Sequence, residues 1–162
     1  MRFLVLALII STGFVCSVAG QAPANQQPPL PAPDPGAADA VYEAVVRYQI
    51  ASWQLGADSY CIKIKGVDAG EKLLHSLKPL PVKPASDCIQ VKKKYDMVVI
   101  DKHSKKKSVL LGAGNIRWTS ETTADVDGGY LCGSQCMSGG VYHVAKAGGQ
   151  WRVTKFDTYI SE

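Results

Sequence analysis

Apolar residues recur on one side of the stretch from about Ala37 to Leu55, at Val41, Ala44, Val45, Tyr48, Ala51, Ser52 and Leu55. That spacing predicts a long amphipathic helix, with Gly56 as its stop. The period then changes to two. In Ser59-Tyr60-Cys61-Ile62-Lys63-Ile64-Lys65, the residues Tyr60, Ile62 and Ile64 fall on one face, the pattern of a half-buried strand. Asp68-x-x-Glu71 reads as a capping box that opens a short helix with Leu73, Leu74 and Leu77 on its buried side. Pro79, Pro81 and Pro84 end it. Strand patterns follow over 95–101, 108–119, 123–131, 140–146 and 151–159. A loop at 102–107 joins the first two as a hairpin, and Ala147-Gly148-Gly149-Gln150 makes a tight connection to the last. Helices gathered ahead of a meander predict an α+β domain over 37–162. One long and one short helix are expected to pack on a curved antiparallel sheet of four to six strands. A domain of that length can bury a real core.

Upstream of the domain, two segments have other patterns. Residues 1–20 hold one positive charge at Arg2, an apolar run from Phe3 to about Val15 and the small residues Ser17-Val18-Ala19-Gly20. This predicts a signal peptide cut after Ala19 or Gly20, since Pro23 disfavours a cut after Ala22. Cys16 follows Val15 where an acylated cysteine wants a small residue, so lipidation is not expected. Residues 21–36 carry Pro23, Pro28, Pro29, Pro31, Pro33 and Pro35 among Gln, Ala and Asn. That composition predicts an extended, solvated linker rather than buried structure.

Export changes the cysteine reading. Loss of Arg2 and Cys16 leaves four cysteines and a net charge of +3. An even number in an exported domain favours disulfides over thiols or metal. Cys132 and Cys136 are close enough to clip a turn, which leaves Cys61 with Cys88. The spacing at 132–136 is not the C-x-x-C of zinc or thioredoxin-like sites.

A long first helix, a short second one and a sheet ending in Gly148-Gly149-Gln150-Trp151-Arg152-Val153 resemble the cystatin-like, cone-shaped α+β superfamily that includes nuclear-transport-factor-two-like domains. The run from Tyr130 through Cys132, Cys136 and Tyr142 to Val144 also resembles uncharacterised exported bacterial proteins. The resemblance implies a fold and a bacterial envelope location, periplasmic or secreted. It implies no single activity, because that superfamily holds enzymes, carriers and dimerisation modules alike.

Catalytic signatures are sparse. Gly112-Ala-Gly114-Asn-Ile-Arg117 has arginine where a dinucleotide fingerprint needs its third glycine, and it lies in a strand pattern. No nucleophile elbow, P-loop or H-E-x-x-H occurs, and no cofactor or metal is implied. In the cone-shaped fold, an enzyme resembles a pocket with an Asp or His base and Tyr donors. The residues of those types here are His143, Asp101, Asp125, Tyr142 and Tyr48. On the one-sided sheet expected here, the favoured reading of His143 is a cross-strand surface residue. His75 is out of step with its leucines and is expected in solvent. Trp118, at a strand end, is the tryptophan expected to be partly exposed, whereas Trp53 and Trp151 fit helix–sheet packing.

Seven lysines lie between residues 92 and 107, opposed only by Asp96 and Asp101. Lys102, Lys105, Lys106 and Lys107 form the denser group around His103, a candidate for attracting anionic envelope surfaces. The alternative is a charged edge that blocks aggregation. Without interleaved arginine or aromatic residues, nucleic acid is not an expected partner. The leading expectation is therefore a non-enzymatic exported binding or interaction module. Its partner would be a small apolar molecule, another envelope protein or a second copy, and its mature chain has no transmembrane helix. A small isomerase or lyase using a His/Asp base is the expectation from another class, and an anionic-surface binder is a third.

Overall fold

Helix α1 (Ala37–Trp53) forms where the apolar stripe places it, but its buried face is turned toward Tyr42, Val46 and Gln49 besides Val41 and Val45. Ala51 and Ser52 face solvent. Asp34 starts the helix: its carbonyl accepts the Ala37 N–H at 3.1 Å and its carboxylate the Gly36 N–H at 3.0 Å. The stop comes at Gln54, whose φ of 42° turns the chain left-handed two residues before Gly56. In this computed structural model Leu30 and residues 33–161 are described, apart from the side chains of the last two. The signal-peptide reading of 1–20 and most of the proline-rich linker fall outside the described residues.

Strand β1 (Ser59–Ile64) turns through Lys65 and Gly66, both at positive φ, into the two-residue β2 (Val67–Asp68). Helix α2 (Glu71–Ser76) follows, but the expected capping box does not form. Gly70 is the N-cap, and Asp68 instead accepts the Ser86 N–H at 2.7 Å. Next come β3 (Val82–Pro84), a 3-10 turn at Ala85–Asp87, β4 (Cys88–Lys93) and β5 (Asp96–Asp101). Four long strands complete the chain: β6 (Ser108–Ser120), β7 (Thr123–Gly133), β8 (Cys136–Ala147) and β9 (Gln150–Ser161).

Among the described residues all nine strands belong to one mixed sheet, which overturns the expected antiparallel sheet of four to six strands. Strands β6 to β9 do form an antiparallel meander. Strand β1 adds to it parallel to β6, and its far edge is shared by β3, in parallel, and β2. The β4–β5 hairpin joins β7 through Val98 and Gly133. A second correction follows. Strand β5 pairs with β4 and β7, and Lys107, the residue before β6, makes an isolated bridge with Ile100, so the Lys102–Lys107 loop does not close a regular hairpin.

Two of the added strands, β2 and β3, have a common physical cause. Strands of two and three residues are too short to display a period of two, and β3 ends in a proline. Proline is tolerated only at an edge. Parallel pairing also needs a crossover, which α2 supplies between β1 and β3, and no local pattern announces that partner.

The core lies between α1 and one face of the sheet. Val41, Val45 and Val46 of α1 meet Tyr60 and Ile62, Val109 and Leu111, Val126, Tyr142 and Val144, all buried. Each such aliphatic side chain contributes about 1.5–3 kcal/mol through burial. Trp118 is not the exposed tryptophan: it is 9% accessible, its ring 5.6 Å from that of Trp151, while Trp53 is the half-buried one. His75 is exposed. Disulfides join Cys61 to Cys88, fastening β1 to β4, and Cys132 to Cys136 across the β7–β8 turn.

Candidate functional site

Alternation along β6 to β9 sends one set of side chains to α1 and the other to the outer face of the sheet. Cross-strand register aligns Arg117, Asp125, His143 and Lys155 in a row on that outer face. Asp127 and Asp157 flank it. His143 Nδ1 lies 2.7 Å from Asp125 Oδ1, and Nε2 lies 3.0 Å from Asp157 Oδ2. Lys155 Nζ donates to Asp157 at 2.9 Å, and Arg117 forks onto Asp127. The structure thus brings together two of the expected catalytic residues, His143 and Asp125, with Asp157 as a partner not singled out from the sequence.

Two carboxylates on two ring nitrogens favour the doubly donating imidazolium. The Asp157 hydrogen bond, then that of Asp125, raises the His143 pKa above its ordinary 6.5. Lys155 first, and His143 second, lower that of Asp157. A general base needs a lone pair aimed at substrate. Here both nitrogens are engaged, so the ladder is built to bind its own charges across four strands.

The other sequence candidates are dispersed. Tyr142 follows from β8 on the opposite face, fully buried, its hydroxyl accepting from Gln49 Nε2 at 3.2 Å. Burial raises its pKa. Tyr48 packs edge-on to it with ring centroids 5.8 Å apart, and Phe156 stacks on it at 4.4 Å. Both tyrosines are core. Asp101 is 0% exposed and locks the loop that follows β5. It accepts from Lys83 and from the His103 and Ser104 N–H groups, and these hold its carboxyl well below the usual range. Lys102, Lys105, Lys106 and Lys107 are exposed on that loop, and Lys107 Nζ donates to the Leu55 carbonyl at 3.0 Å. The triplet Lys92–Lys94 sits at the far end of the β4–β5 hairpin, so the two groups form no single patch.

Beside the charged ladder lies a feature that sequence reasoning missed. Gly112, Gly129 and Gly139 stand opposite one another on β6, β7 and β8 and leave the outer face bare. An open depression of about 420 Å³ results, bordered by Lys63, Leu110, Leu131, Asp127 and Tyr159. Tyr159 is 62% exposed. Beneath the floor, Gln49 reaches from α1 to donate to the carbonyls of Gly112 at 3.0 Å and Gly129 at 3.3 Å, and Tyr42 donates to that of Gly114 at 3.0 Å. The signal was present in the sequence. A turn clipped at 132–136 and centred near Ser134 sets Gly128-Gly129 against Gly139-Gly140.

No protein-family model, curated protein or solved structure matches the chain. Among the described residues, no helix is long and apolar enough to cross a membrane.

Proposed function

We propose that the protein is an exported, non-enzymatic interaction module whose contact surface is the glycine-floored outer face of the sheet. The observation that carries this reading is the in-register row Gly112–Gly129–Gly139 with Tyr159 and two leucines at its border. Bare backbone flanked by an exposed aromatic ring accepts a flat apolar group and offers little chemistry to transform it. The helix-facing side is filled by Tyr142, Phe156, Tyr48 and Trp53. An apolar carrier needs enclosure on most sides of its ligand. The open depression therefore favours a protein partner that presents an apolar side chain over a small carried molecule. The engaged nitrogens of His143 argue against the isomerase or lyase reading.

Gly112 provides the test, because a Cβ there would meet only the Gly129 carbonyl at 3.9 Å. Gly112→Leu fills the floor without crowding the backbone. The apolar dye 1-anilinonaphthalene-8-sulfonate is the probe. It is expected to bind the native protein saturably and to lose about tenfold in affinity, about 1.4 kcal/mol, in Gly112→Leu and in Tyr159→Ala. Circular dichroism melts establish that both variants are folded. Equal dye binding by folded variants would overturn the reading.

A further inference from the structure

The residues from Lys92 to Asp96, around the β4–β5 turn, are all exposed. Tyr95 is 91% exposed, more than any other large apolar side chain among the described residues. A single exposed ring is ordinary on a protein surface, but this one stands at the head of three lysines. Lys94 Nζ lies 5.3 Å from the centre of the Tyr95 ring. Among the described residues, no carboxylate forms an ion pair with Lys92, Lys93 or Lys94.

The backbone presents these side chains from a fastened base. Lys93 pairs with Asp96, so Lys94 and Tyr95 alone make the turn. Lys94 has a φ of 54°, in the left-handed region that turns ordinarily give to glycine or asparagine. Lysine therefore stands where the backbone favours glycine, and what it adds is charge at the tip. Below the turn, Cys88 is bonded to Cys61, and Val98 pairs with Gly133. The Ser134 N–H donates to the Met97 carbonyl at 3.0 Å. Ser134 also donates to the Asp96 carboxylate, from its N–H at 3.3 Å and from its hydroxyl. The one acidic group of the tip is thus drawn back to the β7–β8 turn.

We propose that the Lys92–Asp96 tip docks the protein on an anionic lipid bilayer, with the lysines over the headgroup charge and the Tyr95 ring seated among the headgroups. Tyrosine suits that level because its ring is apolar and its hydroxyl stays wet. Lysine acts as a point charge, which a diffuse headgroup field attracts at about fivefold in affinity per residue. A nucleic-acid site would call for arginine forks and several stacking rings. A stable protein interface takes about 20–30 residues a side, far more than this tip offers. None of the tip residues borders the glycine depression, so the inference is independent of that surface.

The test is co-sedimentation of the mature protein with vesicles at low salt. Vesicles of equal parts phosphatidylcholine and phosphatidylglycerol are expected to bind it, and pure phosphatidylcholine is not. Lys92→Ser/Lys93→Ser/Lys94→Gly is expected to lose about a hundredfold in affinity, and Tyr95→Ser about fivefold. Glycine suits the left-handed position, and circular dichroism melts establish that both variants are folded. The control Lys102→Ser/Lys105→Gly/Lys106→Ser removes the same charge from the other lysine group and is expected to bind as the native protein does. Equal losses in the two triple variants would mean that net charge alone acts, and would overturn the tip as the site. Retention on single-stranded DNA but not on anionic vesicles would overturn the choice of a bilayer.

Discussion

Gln49 and His143 are each held by several partners, one in the dry interior and one at the wet face, and the consequences differ. Gln49 is fully buried and donates to two carbonyls and a phenol. Gln49→Met keeps the volume and forfeits those bonds, so urea denaturation is expected to show a loss of about 1–3 kcal/mol. His143 responds to pH instead. Its folded pKa is raised above 6.5, so the protonated ring's contacts stabilise the fold fully below the unfolded value. That contribution is lost as pH rises through the folded value. NMR titration of the ring is expected to give a midpoint above 6.5. Asp157→Asn should lower it more than Asp125→Asn, in the order in which the two carboxylates raise it. A midpoint unmoved by Asp157→Asn would refute the ladder.

At the scale of the elements, the glycines of the β6–β8 ladder are not equivalent. A Cβ on Gly129 would stand 2.0 Å from the Ser138 carbonyl oxygen, so the two backbones could no longer pair there. Gly129→Ala is therefore expected to lose about 3 kcal/mol or more in the urea midpoint series. Gly112→Ala, with open space, should stay within about 1 kcal/mol of the native protein. Equal effects would mean that the strands approach one another differently. The contrast also marks what the sequence made legible. Strand β1, the four long strands and α1 announce themselves by period, because each has a wet and a dry side. Glycine has no side chain to contribute to a period, so its row emerges only once register is known. The buried Gln49 was unreadable for a related reason. It is a polar residue on the core face of α1, and only the carbonyls of Gly112 and Gly129 explain it.

For the whole molecule, the long-range joins were partly readable and partly hidden. The parallel β1–β6 and β1–β3 pairs connect segments whose partners no local pattern names. The disulfides could be reached from cysteine spacing and the expectation of export, and they bear on those same hidden joins. Cys61–Cys88 spans a separation of 27 residues and ties β1 to the start of β4, across the stretch that holds β2, α2 and β3. Cys132–Cys136 spans four residues within one turn. On loop-closure entropy the first restricts the unfolded chain by about 3.6 kcal/mol and the second by about 2 kcal/mol. The double variant Cys61→Ala/Cys88→Ala should therefore melt well below Cys132→Ala/Cys136→Ala. The larger loss has a second source, since β1 is the strand through which β2 and β3 reach the rest of the sheet. Loosening its tie to β4 should speed amide exchange in β1 to β3 first and leave β7 and β8 protected. Removing the turn disulfide should instead loosen the β7–β8 register near Gly129 and weaken dye binding at the outer face. If the two double variants melted together and exchanged alike, the sheet would not divide at β1.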